Sequence, residues 1–399
     1  MDQKNIEKKC EGYLREMISC LSDLVAIPTS NPPGEKYKEC VDYMARKLTE
    51  WKIGHQVISR PDGDHPRYFI VGSIGKGESL LHFHGHYDVV PASSPDQFKP
   101  CVRGGWLYGR GSSDMKGGLT SMLFALRLIR ETGRDTSGCI TFSIVPDEET
   151  GGDSGTGHLF TSNILPRPRW GMLMPEPTGG VIWNANKGAL TQKITLRGKS
   201  AHVALAHQGI NAFEQMAEVV HSLLKLKNKI ERRTTRLPVA SSKANRSVML
   251  IGGQSGSGFN FNVVPENAYF TLDRRLNPEE SLRQAKREIK EVLDAHRNRG
   301  IQIDVETMQE GKPSRASERS PLARALSRSI RECSGHVPRF ELCPGLCEIR
   351  FFNNRRIPAY AYGPGRLEVS HGPEECVRVV DVSSCARIYT LTADRLLNS

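Results

Sequence analysis

The chain has 399 residues, of which 38% are hydrophobic and 25% charged, with a formal net charge of +11 at pH 7. This length allows two domains with a sizeable core, and the composition excludes disordered, collagenous and disulfide-stapled classes. The charged start from Met1 to Lys9 has no apolar signal core and no apolar stretch approaches the roughly 20 residues a bilayer requires, so we expect a cytoplasmic chain with no membrane partner.

Helical spacing runs from about Ile6 to Val25 through Leu14, Met17, Ile18, Leu21 and Leu24. The turn Ile27-Pro28-Thr29-Ser30-Asn31-Pro32-Pro33-Gly34 leads into a second amphipathic helix through Val41, Met44, Leu48 and Trp51. Tyr68-Phe69-Ile70-Val71 reads as a strand, as does the apolar run from Leu80 that ends in His86-Tyr87-Asp88. In an open α/β sheet, ligands gather beyond the carboxyl ends of the strands. A histidine two residues from an aspartate there suits a metal ligand whose ring a carboxylate orients. His82 and His84, earlier on the same run, suit core or supporting roles.

Asp114 lies in the glycine-rich Gly109-Arg110-Gly111-Ser112-Ser113-Asp114-Met115-Lys116-Gly117-Gly118, just before a helix carrying Leu119, Met122, Leu123, Leu126 and Ile129. By itself it reads as a cap or turn former. The strand Cys139–Val145 is stopped by Pro146 and followed by Glu148 and Glu149, and the strand Trp170–Met174 by Pro175-Glu176-Pro177. Thus His86/Asp88, Glu148/Glu149 and Glu176 each follow a strand end. Carboxylates converging to about 4 Å repel by about 4 kcal/mol per pair at an effective dielectric near 20, and cations remove that penalty. A mixed histidine and carboxylate set without cysteine suits Zn²⁺, Co²⁺ or Mn²⁺.

After Lys187 the strands alternate as if one face were open: Thr191–Gly198, Val248–Ile251, Ala268–Leu272 and Ile301–Val305, with helices at 213–230 and about 278–297. This is an α+β insertion. Within it, eight basic residues between Lys225 and Arg246 meet only Glu231. A solvated helix face explains such a run, and steering of anionic small substrates is the functional alternative. The run lacks interleaved aromatics, so nucleic acid is not an expected partner. The ten cysteines are scattered and fit reduced, buried thiols; Cys343 and Cys347 have no second pair at zinc-ribbon spacing. Ser370-His371-Gly372 precedes a last helix from about Asp381, read as its N-cap, to Leu397.

Taken together, Gly85–Pro91, Gly109–Gly118, Asp147–Gly152, Glu176-Pro177-Thr178 and Ser370-His371-Gly372 resemble, in order, five motifs of the dinuclear zinc family of aminoacylases, acetylornithine deacetylases, succinyl-diaminopimelate desuccinylases, glutamate carboxypeptidases and some dipeptidases. The resemblance implies an α/β fold. A catalytic domain, 1–187 and 313–399, would hold a central, mostly parallel sheet flanked by helices; residues 188–312 would form an inserted α+β lid and dimerisation domain. It implies two divalent metal ions, zinc first and cobalt or manganese next. His86, Asp114 and Glu176 would hold one; Asp114 would bridge to a second held by Glu149 and His371. Asp88 would orient His86 and Glu148 would be the general base.

Gly198-Lys199-Ser200-Ala201-His202-Val203 resembles the family's lid segment, so His202 would donate to the oxyanion, across a homodimer interface. Asn262, Arg275 and Arg350 resemble positions that bind the substrate's carboxylate, for which a guanidinium fork is suited, although a surface ion pair is the plainer role for either arginine. Where the family commonly has Gly-Thr-Ser-Asp, this chain reads Gly345-Leu346-Cys347-Glu348, which removes a hydroxyl from the acyl pocket. Glu rather than Asp at 176 resembles aminoacylases and desuccinylases. The expected activity is therefore hydrolysis of an N-acyl-amino acid; a metallo-dipeptidase or carboxypeptidase acting on short peptides is the alternative, and a non-catalytic binding protein on the same fold a remote one.

Overall fold

Seven strands lie side by side in the order Gly54–Arg60, Arg67–Gly75, Gly138–Val145, Glu78–His86, Gly171–Met174, Ala359–Ala361 and Ile182–Asn186, the first six wholly in the first unit and the last leaving it after Asn184. The four from Gly138–Val145 to Ala359–Ala361 run parallel, and antiparallel strands flank them, so the sheet is mixed. Strands covered on both faces need continuous apolar runs rather than alternation. Accordingly every residue of Gly138–Val145 is buried, and every residue of Glu78–His86 after the first. The helices Tyr37–Glu50, Gly117–Glu131, Pro321–Ser334 and Val379–Leu397 supply Met44, Leu119, Met122, Leu326 and Tyr389 to the core around Phe83. Burying each such side chain contributes about 1.5–3 kcal/mol. Because the three site-bearing strands are adjacent and parallel, their carboxyl ends share one edge.

The computed structural model describes residues 3–132 and 138–397. It divides into one unit of Met1–Asn184, Ala316–Glu341 and Phe351–Ser399 and another of Ala185–Arg315 and Leu342–Arg350. The single helix expected from Ile6 to Val25 is two, Gln3–Gly12 and Leu14–Ala26, separated at Tyr13 after a glycine that weakens helix continuity. The last helix begins at Val379, so Asp381 lies inside its first turn and does not cap it. The strand Gly54–Arg60 was not expected: as a largely exposed edge it carries no apolar pattern.

In the second unit, an antiparallel sheet in the order Val248–Ser257, Asn267–Leu276, Gly188–Arg197 and Gln302–Gly311 packs Ile194, Phe270 and Leu272 against Leu223, Ile289 and Leu293. Those last three come from the helices Ala212–Ile230 and Leu282–Arg297, which begin after the side-chain caps Asn211 and Ser281. The second helix thus starts after Ser281 rather than near Pro278. Leu342–Arg350 joins this unit because Leu342 packs with Ala185 and Leu237 and its N–H donates to the Pro238 carbonyl at 2.9 Å. Part of the basic run is neutralised here, Arg233 pairing with Glu280 at 2.9 Å and Glu288 at 2.8 Å. No described helix is long and apolar enough to cross a membrane.

Candidate metal centre

Two side-chain triads form in the first unit, His86–Asp114–Glu176 and Asp114–Glu149–His371, the ligand atoms of each lying within 4.8 Å of one another. His86 and Glu176 come from ends of neighbouring parallel strands, and Glu149 from the loop after the third. Asp114 is carried by the irregular turn Ser112–Lys116 before the helix Gly117–Glu131. A methyl on Gly118 would lie 1.8 Å from the Pro175 carbonyl oxygen, so only glycine lets this helix start approach the chain bearing Glu176. A methyl on Gly363 would lie 2.4 Å from the same carbonyl oxygen.

The two oxygens of Asp114 face different histidines. Oδ1 lies 3.5 Å from His86 Nε2 and Oδ2 3.4 Å from His371 Nε2. Glu176 Oε1 is 3.8 Å from His86 Nε2, and Glu149 Oε2 is 3.2 Å from His371 Nε2. His86 Nδ1 lies 3.0 Å from the Asp88 carbonyl and 3.3 Å from its Oδ1. With two oxygens facing Nδ1, the neutral ring keeps its proton there and leaves the Nε2 lone pair for a cation. Fully buried, His86 Nε2 makes no hydrogen bond among the described residues. An orphaned nitrogen aimed at two carboxylates is what a bound cation would satisfy, so the residues fit a divalent metal pair with nitrogen and oxygen ligands.

Charge tells the same story. Burial pushes Glu149 up to about 7, with help from the Asp114 charge. Hydrogen bonding to Asp114 and Glu149 raises His371 to about 10. Burial favours neutral His86, yet the Asp114 and Asp88 carboxylates raise it well above the usual imidazole range. Asp114 is likewise pushed up by burial, but His371 and His86 bring it below the usual carboxylate range. Without cations, the cluster therefore balances its carboxylates with retained protons.

Around the triads, Asp88 accepts the backbone N–H groups of Glu148 and Glu149, both at 3.2 Å, and the Asn31 side-chain amide at 2.8 Å. Asp88 thus holds the Glu148–Glu149 loop as well as facing His86. Asn31 was read only as part of a turn, and no local pattern marks it. Arg110 and Glu375, also unassigned from sequence, form a buried ion pair at 2.5 Å between the segments carrying Asp114 and His371. His82 and His84 lie in the sheet, bonded to Thr141, Ser143 and Thr156 at 2.6–2.9 Å. Burial holds His82 well below the usual imidazole range. Cys343 and Cys347 are buried thiols.

His202, Asn262, Arg275 and Arg350 belong to the second unit. The first two are neighbours there: the Val203 N–H donates to the Asn262 carbonyl at 3.0 Å, and His202 is exposed. Arg275 donates Nε to Asp273 Oδ1 at 2.8 Å and a terminal nitrogen to Oδ2 at 3.2 Å. Arg350 is buried at the start of the short helix Ile349–Asn353.

A thiolate-free cluster of histidines and carboxylates at the carboxyl edge of parallel strands suits a site for divalent-metal chemistry. The sequence model of peptidase family M20/M25/M40 matches residues 82–395. The chain is 30% identical over 338 residues to a succinyl-diaminopimelate desuccinylase of Nitrosomonas europaea, covering 81% of this chain and 85% of that protein. Its fold is similar to that of the di-peptidase Dug1p from Saccharomyces cerevisiae, with a TM-score of 0.82 at 13% identity over 100% of this chain and 99% of the other. It is also similar to the M20 family metallo-carboxypeptidase Sso-CP2 from Sulfolobus solfataricus, with a TM-score of 0.80 at 17% identity over 96% and 100%. The chain belongs to peptidase family M20/M25/M40 and is a metallo-amidohydrolase.

Proposed function

We propose that this enzyme removes an acyl group from an N-acyl-amino acid, using a pair of divalent cations, zinc foremost with cobalt or manganese as alternatives. The observation carrying the two-metal reading is Asp114, whose two oxygens face separate histidines. His86, Asp114 and Glu176 would hold one cation; Asp114, Glu149 and His371 the other. When bound, such cations lower the pKa of water and polarise an amide carbonyl. Asp88 keeps the His86 ring aimed and holds the loop that carries Glu148. Glu148 accepts a proton from water at its carboxylate and delivers it to the amide nitrogen as the C–N bond breaks.

His202 would donate to the oxyanion, and Asn262, Arg275 and Arg350 would bind the substrate carboxylate, Arg275 by exchanging its Asp273 partner. Exposed Phe213, Val248 and Leu250 in the second unit support a homodimer formed there. The thiols support a reducing, cytoplasmic setting. Deacylation is favoured by Glu176 and by similarity to a desuccinylase. Peptide cleavage is the second reading, because the fold is also that of a di-peptidase and a carboxypeptidase.

The test is a hydrolysis screen of acetyl-, succinyl- and formyl-amino acids beside dipeptides, with zinc, cobalt or manganese. Turnover of an acyl-amino acid well above any dipeptide is expected; the reverse preference replaces deacylase by peptidase. Activity that survives complete chelation would remove the metal mechanism.

A further inference from the structure

We propose that Arg110 and Glu375 are the positioning pair of the metal centre, setting Asp114 against His371; this rests on the two-metal reading above. His86 and Glu176 are placed by the ends of central strands, and Glu149 by the loop directly after one. Asp114 and His371 have no such support. Asp114 sits in the irregular turn Ser112–Lys116. His371 follows the strand Ala359–Ala361 by ten residues and adopts a left-handed backbone, φ 64°. A non-glycine residue holds that conformation only where its surroundings enforce it.

Beside the Ser113 hydroxyl's bonds to Arg366 and Ser370 and the Gln97 amide on the Gly372 carbonyl, one ion pair reaches the backbone of both ligands themselves. Glu375 Oε1 accepts the backbone N–H groups of Ser113 at 3.1 Å and Asp114 at 3.0 Å. Its Oε2 pairs with a terminal nitrogen of Arg110 at 2.5 Å. The other terminal nitrogen of Arg110 donates to the His371 carbonyl at 3.1 Å. One carboxylate and one guanidinium therefore tie the backbone of the shared ligand to that of the loop ligand. Both side chains are almost completely buried, at 2% and 1% exposure. Burying such a pair is a poor route to stability, since apolar side chains of similar volume often do as well. Its hydrogen bonds fall instead on the two ligand-bearing segments that the sheet does not hold. Groups that orient metal ligands typically set metal affinity by 10–100-fold.

The geometry predicts an asymmetry. The Asp114–Glu149–His371 ion depends on both ends of the brace, whereas the His86–Asp114–Glu176 ion depends on it through Asp114 alone. The test is a Co²⁺ titration of the metal-free full chain, following visible absorption and equilibrium dialysis, in wild type, Arg110→Lys and Glu375→Gln. Lysine keeps the charge opposite Glu375 but cannot also fork to the His371 carbonyl. Glutamine keeps an acceptor for the Ser113 and Asp114 N–H groups but loses its charge toward Arg110.

Two equivalents are expected in wild type; fewer would defeat the two-metal reading itself. In the variants, one equivalent should stay within about 3-fold of wild type and the other weaken by roughly 10–100-fold. Wild-type affinity at both equivalents, even with a lowered melting temperature, would make the pair a fold element only and overturn the proposal. Equal weakening of both would also overturn it, leaving a role at Asp114 without His371. Should either variant not fold, the other decides.

Discussion

Charge is buried in both units, and in opposite ways. In the second unit, fully buried Arg274 pairs with Glu280 at 2.9 Å and Glu288 at 2.7 Å, and Arg233 completes a network of two guanidiniums and two carboxylates. Against the upward push of burial, hydrogen bonds from Arg233 and Arg274 hold Glu288 down to about 2. In the first unit, the carboxylates of Asp114 and Glu149 face the imidazoles of His86 and His371 at 3.2–3.5 Å, and burial pushes Glu149 up to about 7. Guanidinium has no accessible neutral form, so the second-unit network is self-neutralised wherever its carboxylates are ionised. The metal cluster is neutral only by holding protons or binding cations. A buried charge cluster balanced by imidazoles can exchange protons for metal; one balanced by guanidiniums cannot.

Mutation should expose this difference. The largest expected effect is at Glu148→Gln, which should cut turnover by roughly 10³-fold while bound metal stays at the wild-type level, as measured by steady-state kinetics and metal analysis. Retained turnover would remove Glu148 from the base role. Next, Arg274→Met should cost about 3 kcal/mol in denaturant unfolding, because it strands Glu280 and Glu288 beside one remaining arginine. In contrast, Glu149→Gln should leave the metal-free protein at least as stable at pH 8 while weakening metal binding. Destabilisation of similar size in both variants would erase the distinction between the two clusters.

pH sharpens the comparison. In the metal-free protein, the raised Glu149 contributes stability that is complete below its ordinary 4.5 and lost as pH rises through about 7. The contribution of His371 is complete below 6.5 and lost through about 10. Glu288 behaves oppositely: its contribution is present above 4.5 and lost as pH falls toward about 2. Cations displace the protons on the cluster, so the gap in melting temperature between loaded and chelated protein should widen from pH 5 to pH 9. A constant gap would mean that the cluster does not exchange protons for metal. The smallest effect is at Asp273→Asn. Releasing Arg275 from a half-exposed pair is worth about 0.2–1 kcal/mol and should lower KM for a carboxylate-ended substrate by no more than a few-fold. An unchanged KM would leave Arg275 as a surface partner of Asp273.

Much of the candidate site was legible in the chain because a buried parallel strand is a mostly apolar run whose stop is local. His86 ends one such strand, Glu149 and Glu176 lie within a few residues of the ends of two others, and Asp114 and His371 lie in motifs that the family resemblance singles out. Boundaries were less legible. Asp381 looked like a cap, but the helix begins two residues earlier at Val379. Leu342–Arg350 gave no sign that it joins the second unit, because packing against Ala185 and Leu237 is a matter of shape. Arg274 and Arg275 are adjacent and chemically identical, yet strand alternation buries the first among carboxylates and leaves the second half-exposed on Asp273.

Residue order alone determined the alternation of strands and helices, the open-faced insertion, and which carboxylates and histidines follow strand ends, because burial periodicity and chain stops are local properties. Only the tertiary structure decided which of these ends meet. The order of the parallel strands brings three of them to one edge, and long-range bonds place the rest. Asn31 reaches Asp88 across 57 positions, and Arg110 reaches Glu375 across 265. No local pattern encodes such contacts, because their energy depends on a geometry that exists only after the sheet has formed.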